Sequence, residues 1–89
     1  MTHVVGKVFD ANNDLIQKRT EVTLSIDESR GNLTLDYENT QRISTTFGYR
    51  LILEDGREGA IVFNRMLPSM LASAVATFVV IAPFSLPEN

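Results

Sequence analysis

The sequence contains few of the side chains that usually carry out chemistry in enzymes. His3 is the only histidine, and there is no cysteine among the 89 residues. A Ser-His-Asp triad, a Cys-His dyad and a zinc site built from histidine and cysteine each need more than this within one chain. We therefore predict that the protein is not an enzyme and that it has no catalytic residue, no metal site and no cofactor.

Carboxylates are the one chemical group that occurs in clusters, and the clusters fall in predicted turns. A calcium loop needs several oxygen ligands in a defined order with a bidentate acid, and no turn of this sequence has that order. We interpret the turn acids as solvated charges. An acid-pair enzyme is the last-ranked hypothesis, because two acids would have to converge in a cleft with a perturbed pKa. The turn acids are Asp10, Asp14, Asp27, Glu28, Glu54, Asp55 and Glu58, and the acids considered for a pair are Asp36, Glu38 and Glu54.

The charge balance argues against a nucleic-acid partner. The net charge is −3, and the basic residues are interleaved with acids instead of forming a stripe. Gly56 and Gly59 belong to a turn and not to a strand-to-helix junction, so no phosphate-binding glycine loop is indicated. The first residues lack the pattern of a signal peptide, and together with the absence of cysteine this predicts a cytoplasmic protein.

The elements that would position any site are β-strands, and the best specified is a hairpin over residues 47–64. Apolar residues alternate with polar ones on both of its strands, which is the period of a strand. A two-residue turn at Asp55-Gly56 would mix the two faces. A three-residue loop, Glu54 to Gly56, would place Phe47 opposite Phe63, Tyr49 opposite Ile61 and Leu51 opposite Gly59. We therefore predict the three-residue loop, with Asp55 and Gly56 as structural turn residues.

Two further hairpins are predicted, over residues 3–18 and 20–38, followed by a polar connection over 39–46 that Ile43 anchors. In the first hairpin, Leu15 to Lys18 is a short return strand. In the second hairpin, alternation favours a register that pairs Ile26 with Leu33. The inward residues would then be Val22, Leu24, Ile26, Leu33, Leu35 and Tyr37.

The uncharged segment 66–87 has two interpretations. It is long enough for a membrane-spanning helix, which needs about 20 residues. Pro68 and Pro83 shorten the uninterrupted part, however, and the β-branched residues of its second half favour a strand. We therefore predict a loop or helical turn over 66–72 and a strand over 73–82 that is apolar on both faces, with Ala74, Phe78 and Val80 towards the core. The outward residues Val75, Val79 and Ile81 form a candidate interface, because an exposed apolar row invites association.

These observations predict a single all-β domain over residues 1–89, folded as a small antiparallel barrel or two-layer sandwich of six or seven strands built from consecutive hairpins. The leading functional hypothesis is a non-catalytic interaction or structural module that self-associates through its C-terminal strand or binds an unidentified protein. A barrel that binds a small ligand is an alternative, with a cavity lined by Phe47, Tyr49, Phe63 and Phe78. A membrane-anchored subunit is the alternative that follows if 66–87 is a helix.

Overall fold

The computed structural model describes residues 1–68 and 72–87, and these residues form one closed antiparallel barrel. Around the barrel the strands follow the order β1-β2-β3-β6-β5-β4. The all-β prediction is confirmed, and closure of the sheet decides in favour of the barrel. Within the described residues, the strands are β1 (Thr2–Phe9), β2 (Leu15–Leu24), β3 (Arg30–Asp36), β4 (Gly48–Leu53), β5 (Glu58–Pro68) and β6 (Ser73–Ser85), with a 3-10 helix at Tyr37–Arg42.

The central hairpin, β4 and β5, has the predicted register. Tyr49 lies opposite Ile61 and Leu51 lies opposite Gly59. The N–H of Leu53 donates to the carbonyl oxygen of Arg57 at 2.8 Å, which closes a loop of three residues. Gly56 sits in that loop at a φ of 92°, a conformation that glycine adopts without steric cost. Phe47 is the exception, since it precedes the strand and is exposed instead of facing Phe63.

The predicted register of the second hairpin is wrong by four residues on β3. Val22 pairs with Leu33 and Leu24 with Gly31. The turn begins earlier than expected because the Asp27 carboxylate accepts hydrogen bonds from the Ser25 hydroxyl and from the hydroxyl and N–H of Ser29. Val22, Leu24, Leu33 and Leu35 are buried as predicted, whereas Ile26 and Tyr37 are exposed.

Gly31 lies within β3 and pairs with Leu24 of β2. A Cβ at this position would lie 2.2 Å from the carbonyl oxygen of Thr23, so glycine is required for the close approach of β3 to β2.

The segment Leu15–Leu24 is one continuous strand, although the sequence predicted a break at Arg19. It pairs with β1 along its length, from Phe9 opposite Leu15 to Thr2 opposite Leu24. The connection predicted over 39–46 is not wholly irregular, because its first residues belong to the 3-10 helix Tyr37–Arg42. Ile43 does anchor it, as predicted, by packing against the core.

The C-terminal segment is β-structure. Met66, Leu67 and Pro68 extend β5 and pair with Ala76, Val75 and Ala74 of β6. The prediction of a loop over 66–72 is therefore wrong for 66–68, and its part over 69–71 lies outside the described residues. The helical interpretation of 66–87 is wrong for the strand residues 66–68 and 73–85. Within the described residues, no helix is long and apolar enough to cross a membrane.

The centre of the barrel is filled by aromatic rings from three neighbouring strands. Phe63 on β5 lies opposite Phe78 on β6, and both are fully buried. The Tyr49 ring packs edge-to-face on Phe63 at 5.3 Å, and Phe63 packs on Phe78 at 6.3 Å between ring centroids. Such pairs contribute about 0.5–1.5 kcal/mol each beyond their burial. Three of the four residues that we predicted to line a ligand cavity thus pack against one another.

Candidate functional site

The outer surface of β5 and β6 carries a row of apolar side chains, which we call the apolar face. Val79 is 39% exposed, Ile81 58% and Leu67 45%, whereas Val75 and Val62 are half-buried. The β-ladder places Val62 directly opposite Val79 and Leu67 directly opposite Val75. Outward side chains on neighbouring strands at opposed positions touch each other, so the face has two apolar halves, Val62 with Val79 and Ile81, and Leu67 with Val75.

Polar residues lie between the two halves of the apolar face: Asn64, Thr77 and the exposed Arg65, which is opposite Thr77 on the β-ladder. The hydroxyl of Thr77 donates to the side-chain carbonyl oxygen of Asn64 on the neighbouring strand. Because this pair is already hydrogen-bonded internally, covering it with another surface carries a smaller desolvation penalty than covering unpaired groups would.

The edge of the apolar face along β3 carries a positive charge at one end and a negative charge at the other. On β3, which borders β6, Arg30 lies opposite Val79 and Asp36 lies opposite Ser73. Both side chains are exposed. On the other border, the Ile81 side chain lies over Gly48 of β4, where an added Cβ would be 3.6 Å from the Ile81 Cδ1.

The C-terminal part of β6 is poorly suited to pairing with another strand. Two residues of β5 pair with the stretch from Ala82 to Ser85: Glu58 is opposite Ser85, and Ala60 is opposite Ala82. The register shift between these two pairs marks a bulge, and Pro83 lies within the stretch. Proline has no N–H to donate, and bulges twist a strand edge away from new partners. These features disfavour the addition of a strand at this edge.

The candidate interface predicted from sequence thus lies on one surface, since Val75, Val79 and Ile81 all point outwards from β6 as expected. The inward prediction for this strand agrees with the structure as well: Ala74 and Phe78 are buried, and Val80 packs against the core. Sequence reasoning missed the contribution of β5. Val62 alternates with buried residues and could have been found from that pattern, whereas Leu67 was assigned to a loop.

Three of the seven turn acids, Glu28, Asp55 and Glu58, form ion pairs with arginines. The Arg50 guanidinium donates to both carboxylate oxygens of Glu58, at 3.2 and 2.8 Å. Arg57 pairs with Asp55 at 2.8 Å and with Glu28 at 3.1 Å, which joins the β4–β5 turn to the β2–β3 turn. The contact with Arg50 lowers the pKa of the Glu58 carboxyl, chiefly through the side-chain hydrogen bond.

The pKa values of two further turn acids are also lowered. The backbone N–H of Arg57, followed by its side chain, lowers the pKa of the Asp55 carboxyl. Hydrogen bonds from the Ser29 hydroxyl, the Ser25 hydroxyl and the Ser29 N–H lower the pKa of Asp27 to about 2. A lowered pKa is the opposite of what a general acid requires at neutral pH.

The remaining chemical candidates lie on different elements, although His3 and Glu54 line one surface groove together with Glu21. The His3 Nδ1 lies 3.1 Å from the Thr23 hydroxyl on the surface of β1 and β2. Asp36 ends β3, Glu38 lies in the 3-10 helix and Glu54 lies in the β4–β5 loop. Among residues 1–68 and 72–87, no group of three or more histidine, aspartate or glutamate side chains is placed to hold a metal ion.

Comparison of the chain with protein-family models, with curated protein sequences and with solved structures finds no match.

Proposed function

We propose that this protein is a non-catalytic interaction module that associates with a second copy of itself through the apolar face. The observation that carries the proposal is the exposure of Leu67, Val79 and Ile81 beside Val62 and Val75 on two neighbouring strands. Burial of apolar surface is the main favourable term in protein association, at about 25 cal/mol per Å².

A second copy is favoured as the occupant by the placement of charge. Arg30 and Asp36 stand at opposite ends of the strand that borders the apolar face. A two-fold axis that lies in the plane of the interface and runs perpendicular to the strands would bring the Arg30 of each copy towards the Asp36 of the other. Such an isologous contact uses the same surface twice, which is the commonest arrangement among soluble oligomers.

The association is expected to be weak and concentration-dependent. A stable interface buries roughly 800 Å² on each partner, and five apolar side chains account for only part of that area. The experiment is therefore sedimentation velocity over a wide range of protein concentration.

The test compares Val79→Asp with the wild type, and Leu15→Asp serves as a matched control. Leu15 has a similar exposure, 41%, but lies on β2, across the barrel from β5. We expect a concentration-dependent dimer for the wild type and for Leu15→Asp, and a folded monomer for Val79→Asp. A wild type that stays monomeric at all concentrations would refute the proposal, as would equal disruption by the control.

A charge-swap experiment tests whether the partner is a second copy. We expect Arg30→Asp and Asp36→Arg each to weaken dimerisation, and the double variant to restore it. Each exposed ion pair contributes about 0.2–1 kcal/mol, and two pairs form by symmetry, so each single variant should raise the Kd by roughly 2–30-fold. A double variant as weak as the single variants would exclude this arrangement.

A further inference from the structure

Three cationic side chains line one groove on the outer surface of β1, β2 and β4. They are Lys7, Lys18 and Arg19, and the groove has a volume of about 440 Å³. Because β1 lies three strands away from β6 around the barrel, this groove is on the side opposite the apolar face. A dimer formed through that face would leave the groove open.

A β-bulge brings the three cations together. Gly6 pairs with Thr20 and Val8 pairs with Gln17, so the single residue Lys7 faces two residues of β2, Lys18 and Arg19. Both of these side chains are exposed, although regular alternation would turn one of them inwards. Bulges often re-aim a side chain beside a functional site. Here the extra residue places two positive charges opposite a third.

The three like charges repel one another, although the Lys7 ammonium also lies 5.8 Å from the centre of the Phe9 ring, within cation–π distance. Like charges at opposed positions of a β-ladder destabilise it. The salt bridges within the described part of the chain involve Arg50 and Arg57 and none of the three groove cations. Among residues 1–68 and 72–87, Glu54 is the only acid that lines the groove. A net positive charge is therefore concentrated locally on a protein whose overall charge is −3.

We propose that this groove binds a small ligand that carries phosphate groups with at least two negative charges. Arginine and lysine favour phosphate, arginine through its planar fork and lysine as a point charge. The volume lies within the range of small-molecule sites, roughly 300–1,000 Å³. Val5 and Ile52 also line the groove and offer an apolar surface to the body of the ligand. Three cations beside one acid are too few for tight binding of a nucleic-acid backbone.

The test is titration of the full-length ¹⁵N-labelled protein with pyrophosphate and with ADP, followed by NMR. We expect both to shift amides of β1 and β2 around Lys7, Lys18 and Arg19, and the binding to weaken as salt rises, because the site is exposed. Tighter binding of ADP than of pyrophosphate would show that the apolar side of the groove contributes. A short oligothymidylate is the third probe.

The variant that removes the site is Lys18→Gln/Arg19→Gln, and Arg42→Gln/Arg65→Gln changes the net charge equally at exposed positions elsewhere. We expect at least a tenfold loss of affinity in the first and less than a twofold change in the second. Glu54→Gln, which removes the acid in the groove, should tighten binding. Without ligand, the groove variant should have an unchanged or higher Tm, since like-charge repulsion has been relieved.

Three results would overturn the proposal. The first is the absence of shifts in the groove with either phosphate compound at low salt. The second is an equal effect of both double variants, which would indicate a non-specific charge effect. The third is tighter binding of the oligothymidylate than of ADP, which would make the groove a nucleic-acid site. If the double variant fails to fold, Lys7→Gln is measured in its place against the same outcomes.

Discussion

Replacement of Thr20 by valine tests how the barrel is closed between β2 and β3. Backbone pairing between these strands is limited to Val22–Leu24 on β2 and Gly31–Leu33 on β3. Beyond that point the Thr20 hydroxyl accepts a hydrogen bond from the N–H of Thr34 at 3.0 Å and donates one to the carbonyl oxygen of the same residue. One buried side chain thus replaces a rung of the β-ladder.

Gln17 extends this bridge by a further step. Its side-chain oxygen accepts hydrogen bonds from the N–H of Asp36 at 3.1 Å and from the Asn39 side chain at 2.7 Å. Thr20 and Gln17 are the buried polar residues of the described chain, at 4% and 7% exposure. Their burial is therefore explained by the gap that they bridge.

The expected cost of Thr20→Val follows from this geometry. Valine preserves the shape of threonine but removes two hydrogen bonds, each of which contributes about 0.5–1.5 kcal/mol net. We expect the free energy of unfolding to fall by about 1–3 kcal/mol. The fall is at the upper end of this range if water cannot reach the Thr34 backbone in the variant. For a domain of this size each kcal/mol shifts Tm by about 4–8 °C, so the midpoint should fall by roughly 4–24 °C.

The assay is urea unfolding of the wild type, Thr20→Val and Thr20→Ser, with Thr23→Val as the control. Serine keeps the hydroxyl and should retain most of the stability. The Thr23 hydroxyl contacts only the exposed His3 ring among the hydrogen bonds of the described chain, so its loss should change stability by less than about 0.5 kcal/mol. Hydrogen exchange of the Thr34 amide should accelerate in Thr20→Val.

Two results would refute this account. Wild-type stability in Thr20→Val would mean that the hydroxyl does not replace the backbone pairing. An equal loss in Thr20→Ser and Thr20→Val would mean that the methyl group of Thr20, and not its hydroxyl, stabilises the barrel.

Two further predictions concern the β2–β3 hairpin. Gly31→Ala should cost about 3 kcal/mol in urea unfolding, at the upper end for overpacking, because its Cβ would lie 2.2 Å from the Thr23 oxygen. Gly48→Ala is the control, since its Cβ would meet the nearest side chain at 3.6 Å, and equal losses in the two would contradict the steric argument. Asp27 has a folded-state pKa of about 2 against a usual 3.8, so its contribution is present above pH 3.8 and is lost as pH falls towards 2. The difference in urea midpoint between the wild type and Asp27→Asn should therefore shrink over that range, and a constant difference would show that the carboxylate charge is not involved.

The central hairpin shows what local sequence determined about this protein. The alternation on both strands and the glycine at position 56 specify one register and one loop length, because any shift would move the apolar residues to the other face. The strand over 73–82 and its two apolar faces were likewise predictable, since β-branched residues dominate its second half. The interface made by the outward face of that strand remains a prediction.

Tertiary structure decided the features that depend on contacts between distant strands. Alternation has the same period in a barrel and in a sandwich, so only the pairing of β1 with β4 revealed closure. Alternation also failed at Ile26, since the hydrogen bonds of Asp27 ended the strand before it. The groove at Lys7 could not be predicted either, because Lys18 and Arg19 are adjacent to it only through a bulge. A period of two residues assigns a face to each side chain, but the turns and bulges decide which strands, and which charges, become neighbours.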